Sequence, residues 1–260
     1  MATWTFARAL FATNLRAALA LRGAFVIQAL FMLVNNLTFF VVWWVLLQRV
    51  PDLRGWRLGD IAMLFGITAT SFGLVITVAG GVRHLGRAIE EGELDTLLTQ
   101  PKPALLYALG MRSNASGVGD MVSGVLFLAM SGHLTLMSAP LVVVLILASA
   151  ATFLGCGIVF HSLPFWLGRT ETVSRQLWDL TITFAMYPEP LFGGVLRLLL
   201  FTAIPAGFVS YLPARMLRDP SSVMLAAALG GALVHVAVAV WVFNRGVRRY
   251  TSGSRFVAFG

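Results

Sequence analysis

Residues 23–47 run for 25 positions without one charged side chain, and that feature restricts the chain more than any other. As a helix the run would be about 37 Å long, enough to cross the roughly 30 Å hydrocarbon core of a bilayer with some tilt. The pattern recurs. The chain is 58% hydrophobic and 12% charged, with a mean hydropathy of +0.84. A soluble protein of this size could not cover such a surface with polar groups, whereas lipid solvates an apolar exterior. The composition therefore implies an all-α integral membrane protein.

Six stretches read as spans: 23–47, 61–82, 114–133, 141–163, 172–187 and 223–243. Ahead of them, residues 1–22 carry Phe6, Leu10 and Leu15 at helical spacing, interrupted by Arg8, Arg16 and Arg22. That pattern predicts an amphipathic helix lying in the membrane interface. Residues 191–212 are apolar but interrupted by Arg197 and Pro205. They read either as a seventh span or as short helices that enter and leave by one face, which irregular backbone permits only under protein or water cover.

The net charge of +8 comes from 19 basic and 11 acidic residues. The basic residues sit between apolar runs, with no basic patch interleaved with aromatics, so nucleic-acid binding is not expected. If 191–212 is re-entrant, 13 basic residues fall on the side of both termini and six on the other. The positive-inside bias then places both termini in the cytoplasm. The lone Cys156 permits no internal disulfide or cysteine cluster, and the four histidines are scattered. No metal site, phosphate-binding loop or nucleophile elbow is present as a motif. No cofactor bound by this chain is expected, so energy for any transport must come from a partner or an ion gradient.

Residues 83–113 form the most polar stretch, with short helical pieces broken at Gly92, Pro101 and Pro103. Here Arg87, Glu90 and Asp95 alternate with Ile89, Leu94, Leu97 and Leu98. A merely solvated loop needs no apolar residues at such spacing, so the stretch reads as an amphipathic helix offered to a soluble partner. The segment Ile-x-x-Gly-x-Leu-Asp-x-Leu-Leu-x-x-Pro at 89–101 resembles the cytoplasmic loop of ABC-2-type permeases. It is most similar to the six-helix kind that works with a separate ATP-binding subunit. Tyr187-Pro188, Ile204-Pro205-Ala206, Tyr211-Leu212-Pro213-Ala214 and the tail Gly246-Val247-Arg248-Arg249-Tyr250 agree with it in order and spacing.

The resemblance implies a six-helix exporter fold with a coupling helix between helices 2 and 3, formed around Arg87, Ile89, Glu90, Gly92, Leu94, Asp95, Leu97 and Leu98. It also implies re-entrant outer helices before helix 6 and a second permease, identical or related. Two ATP-binding subunits would carry ATP and Mg, in a bacterial cytoplasmic (inner) membrane. Substrates in that family include drugs and other toxic organic cations.

Asp120, Asp179, Tyr187, Glu189 and Arg197 are candidates for the pathway or its gate, since a charge within a span costs roughly 2.5–3.5 kcal/mol on insertion scales. Each has a plainer reading. The aspartates could pair with a nearby arginine or face water, Glu189 could cap a helix, and Arg197 could pair with Glu189. The aromatics Phe31, Phe39, Phe40, Trp43, Trp44, Phe184 and Tyr187 are expected mainly to pack or face lipid, with a minority lining a cavity for flat cations. A gradient-driven carrier or channel is the alternative to an ATP-driven exporter. An intramembrane enzyme is the third reading, and it lacks a matched nucleophile.

Overall fold

The computed structural model describes residues 5, 6, 8–10, 12, 13, 16, 20, 22–50 and 52–250. The chain is 79% helix, with no strands among the described residues. The helices are α1 (Arg22–Arg49), α2 (Leu58–Ala79), α3 (Leu85–Glu90), α4 (Leu94–Leu98), α5 (Ala104–Gly110) and α6 (Ser116–Met130). They continue with α7 (Ala139–His161), α8 (Pro164–Leu167), α9 (Glu171–Ala185), α10 (Gly194–Leu199), α11 (Leu212–Arg218) and α12 (Ser222–Val247).

Among the described residues, four helices are long and apolar enough to cross a membrane: α1, α2 with its continuation to Glu90, α7 with its continuation to Leu167, and α12. The other two expected spans are shorter. α6 and α9 have 15 residues each, about 22 Å at 1.5 Å per residue. The expected start of the third span at 114 is taken up by a turn docked on α2, where Asn114 N–H donates to Ile76 O (3.2 Å) and Ser113 Oγ to Thr77 O (2.6 Å). Gly132, at φ +77°, follows the end of α6.

α2 is the axis of the bundle, with 17 of its 22 residues buried. It packs along α6 through paired glycines seven apart, Gly66 and Gly73 against Gly124 and Gly117. A methyl group on Gly66 would lie 2.9 Å from Gly124 O, and one on Gly117 2.6 Å from Gly73 O. Only hydrogen side chains let two backbones approach so closely, a device that membrane helices use in place of a hydrophobic drive. Asp60 starts α2 by accepting the Arg57 N–H (2.8 Å) at the third helical position.

α7 covers another side of α2 and is covered in turn by α12. The outward faces of α1 and α12, with Ile27, Phe31, Leu233 and Trp241, stay exposed. In water these faces would aggregate, and in lipid they are the solvent-facing surface.

Phe6 and Leu10 lie against α5. Phe6 stacks on Tyr107 (5.6 Å between ring centroids), and Lys102 Nζ sits 5.4 Å from the Phe6 centroid. Trp4, Phe11, Leu15 and Leu19, and the tail beyond Tyr250, lie outside the described residues.

Residues 191–212 form no continuous helix. After a 3₁₀ turn (Glu189–Leu191) come α10 and an irregular corner at Pro205, then a π-helical turn (Gly207–Tyr211) that runs into α11. Tyr211, fully buried, donates its hydroxyl to Phe184 O (2.6 Å) at the end of α9, where that carbonyl also accepts the Tyr187 N–H (3.2 Å).

Candidate functional site

A cavity of about 770 Å³ opens between α1, α2, α6 and the end of α9. Its walls are apolar and aromatic, with Phe39 and Trp43 from α1, Phe65 and Phe72 from α2, and Tyr187 beyond α9. Trp43 and Tyr187 meet edge to face at 5.5 Å. At one end Arg83 lies over the Phe72 ring, 6.0 Å from its centroid.

The polar atoms in this cavity are few and organised. Asp120 on α6 is 3% exposed and Asn36 on α1 is equally buried. Asn36 Nδ2 donates to Asp120 Oδ1 (2.7 Å) and to Ser123 Oγ (2.8 Å), and Ser123 Oγ donates to Asp120 O (2.9 Å). Asp120 Oδ2 has no hydrogen-bond partner among the described residues. A buried carboxylate oxygen without a partner is costly to hold, so the arrangement suits a visiting donor or cation. Asp120 forms no direct salt bridge among the described residues, and the arginine that shares its cavity is Arg83. Asn36 was not anticipated, although the Asn35-Asn36 pair inside an uncharged run was its signal.

Asp179 does not line this cavity. It lies exposed on α9 in a row with Thr172, Gln176 and Thr183, and Tyr187 just past the helix end continues the row, all exposed and spaced three or four apart. Thr183 and Tyr187 carry this row to the cavity mouth. In the sequence Asp179 stands out alone, and only the burial pattern shows a stripe.

Glu189 and Arg197 are not at the cavity. Glu189 is 2% exposed. It pairs with Arg197 (2.9 Å) and, through both oxygens, with Arg215 (2.7 and 2.8 Å). The backbone between Glu189 and Arg197 is not helical throughout, yet the pair forms, and Glu189 is an ion-pair hub for the broken 189–218 segment. Arg215 was missed by sequence because only the fold brings it 26 residues back along the chain. Glu189→Gln should lower the thermal midpoint only modestly, by about 1 kcal/mol of stability, because both arginines are nearly half exposed and stay solvated. The change should also speed tryptic cleavage at Arg197, and unchanged cleavage would count against the hub.

The 83–113 region corrects one expectation. Ile89, Leu94 and Leu97 are buried within the chain itself, so the apolar spacing reflects this protein's own core and not an exposed docking face. Glu90 is used internally too, as Glu90 Oε1 accepts from Thr170 N (2.7 Å) and Glu171 N (2.6 Å), capping the start of α9. Gly92 turns the chain at φ +76°. Arg87, paired with Glu91 (2.9 Å), remains exposed, as do Glu93, Thr96 and Leu98, while Asp95 is half-buried.

Apolar exterior faces, a close-packed glycine seam and an internal cavity with a buried carboxylate define a multi-pass helical membrane protein. The sequence profile of the ABC-2 family transporter protein matches residues 33–254, so the chain belongs to the ABC-2 family. It is a transmembrane permease component of an ABC transporter and pairs with a separate ATP-binding subunit. No curated protein and no solved structure matches the chain.

Proposed function

We propose that this chain is the permease of an exporter in which two permeases face each other and move amphipathic organic cations out of the cell by alternating access. Two ATP-binding subunits, carrying ATP and Mg, would drive the cycle from the cytoplasmic side. The observation that carries the reading is the exposed polar row Thr172, Gln176, Asp179 and Thr183 on α9, continued just beyond its end by Tyr187, which leads into the aromatic cavity. Such a row is expensive against lipid and must face protein or water. A second permease across a shared, hydrated path satisfies it, and it places two Asp120 carboxylates beside aromatic walls that favour flat cations. Residues 189–218 then form the re-entrant outer end. The exposed side of 83–113, with Arg87, Glu93, Thr96 and Leu98, receives the ATP-binding subunit. Both termini are in the cytoplasm of a bacterial inner membrane, as the charge count favours.

Thr183→Cys, oxidised in membranes, should yield a cross-linked dimer. Leu233→Cys, on the 72% exposed lipid face of α12, should not. Equal cross-linking at both positions, or none at 183, 176 and 187, would remove the shared path. In inverted vesicles, uptake of a fluorescent monovalent cation should require ATP and stop with vanadate. Uptake by the purified chain alone on a proton gradient would instead establish the carrier alternative.

A further inference from the structure

A second hollow, of about 620 Å³, lies at the end of the bundle where the 83–113 segment is. It is unlike the first. Four arginines converge on it from three separate stretches: Arg83 and Arg87 from the end of the α2 assembly, Arg112 from the turn before α6, and Arg175 from the first turns of α9. His84, Ser113 and Asn114 add further polar side chains, and Glu171 is the one acidic residue lining it among those described. Glu171 is engaged with Arg175, and Arg87 with Glu91 (2.9 Å). Among the described residues, Arg83 and Arg112 make no ion pair.

The placement is built and not adventitious. The Arg112 turn is bonded to the end of α2 through Ser113 and Asn114. Gly80 lets that turn in, since a methyl group there would stand 2.9 Å from Arg112 O. The bias toward positive charge on one membrane face requires only that arginines lie on that side. It does not require them to meet around one cavity, two of them outside any direct ion pair among the described residues.

We propose that this hollow binds a phosphate group, presented either by the headgroup of an anionic phospholipid in the adjoining leaflet or by a soluble phosphate compound. Guanidinium forks match phosphate oxygens in pairs, and basic pockets between helices at the cytoplasmic face hold anionic headgroups. Arg83 lines this hollow and the aromatic cavity alike. A bound phosphate would therefore neutralise the arginine that repels a cation approaching Asp120. This last consequence, and the assignment to the cytoplasmic leaflet, rest on the proposed function. The phosphate site does not.

The test is native mass spectrometry of the full-length chain released from nanodiscs containing phosphatidylglycerol and phosphatidylcholine. Wild type should retain phosphatidylglycerol selectively. Arg112→Gln and Arg83→Gln should each weaken retention about fivefold or more, as expected for loss of one arginine contact at a headgroup. Arg112→Lys should retain most of it, and Arg248→Gln, an exposed arginine outside the hollow, should match wild type. Retention that survives millimolar inorganic phosphate assigns the lipid source. Displacement by inorganic phosphate, lost in Arg112→Gln, assigns the soluble source. Equal retention of the two lipids with no effect of inorganic phosphate, or wild-type retention in both Arg→Gln variants, overturns the site. Nanodiscs expose both faces and the readout needs no transport, so a negative result here leaves the exporter reading standing, and failure of cation export leaves this site standing.

Discussion

Gly117→Val is expected to eliminate most of the folded protein. The added methyl groups would meet Thr77 and the Gly73 carbonyl across the α2–α6 seam, with the new Cβ 2.6 Å from Gly73 O. Backbone cannot turn aside as a flexible side chain can. The two helices must separate, and the loss should reach roughly 3 kcal/mol or more, at the upper end for overpacked cores. Fluorescence-detected size exclusion of the detergent-solubilised chain should show the monodisperse peak replaced by aggregate. The control has the opposite expectation. At Gly230, in α12, an added methyl group would meet nothing within 4 Å, so Gly230→Ala should be neutral or slightly stabilising through its better helix propensity. Equal behaviour of the two variants would mean that the seam does not hold the bundle.

Asp120→Asn should separate binding from folding. The asparagine keeps an oxygen to accept from Asn36, so the α1–α6 contact and the thermal midpoint should survive. What disappears is the negative charge in the cavity. Removing one partner of a desolvated charge contact costs on the order of 2 kcal/mol or more, so ATP-driven uptake of a monovalent organic cation should fall by about thirtyfold. Uptake of a neutral analogue of similar shape should change little. A parallel loss for both compounds would assign Asp120 a structural role, and no loss for either would remove it from the pathway.

Asp120 is recognisable in the sequence because an acid inside an apolar run is conspicuous, whatever the fold. Its partner Asn36 lies 84 positions away, and no local pattern links them. Ile89, Leu94 and Leu97 are legible as a periodic apolar face, but periodicity says only that one side is buried. The structure buries that side in this chain's own core, which removes the argument for an exposed apolar docking helix. Arg83 and Arg112 read as ordinary members of a polar loop, and only the fold turns them toward one hollow.

The chain's order along the sequence was sufficient for its class. Uninterrupted apolar length demands lipid, charge placement favours an orientation, and prolines and glycines mark where helices stop. These are one-dimensional constraints, because a helix satisfies its own backbone hydrogen bonds and needs no distant partner to be recognised. Tertiary structure decided the rest. It shortened the expected third span to 15 residues, joined Glu189 to Arg215, and turned the Asp179 row outward and Asp120 inward. Each of these depends on which helix faces settle against one another. Between helices in a membrane that choice is made by close packing and a few buried polar contacts, and such contacts join residues far apart in the chain.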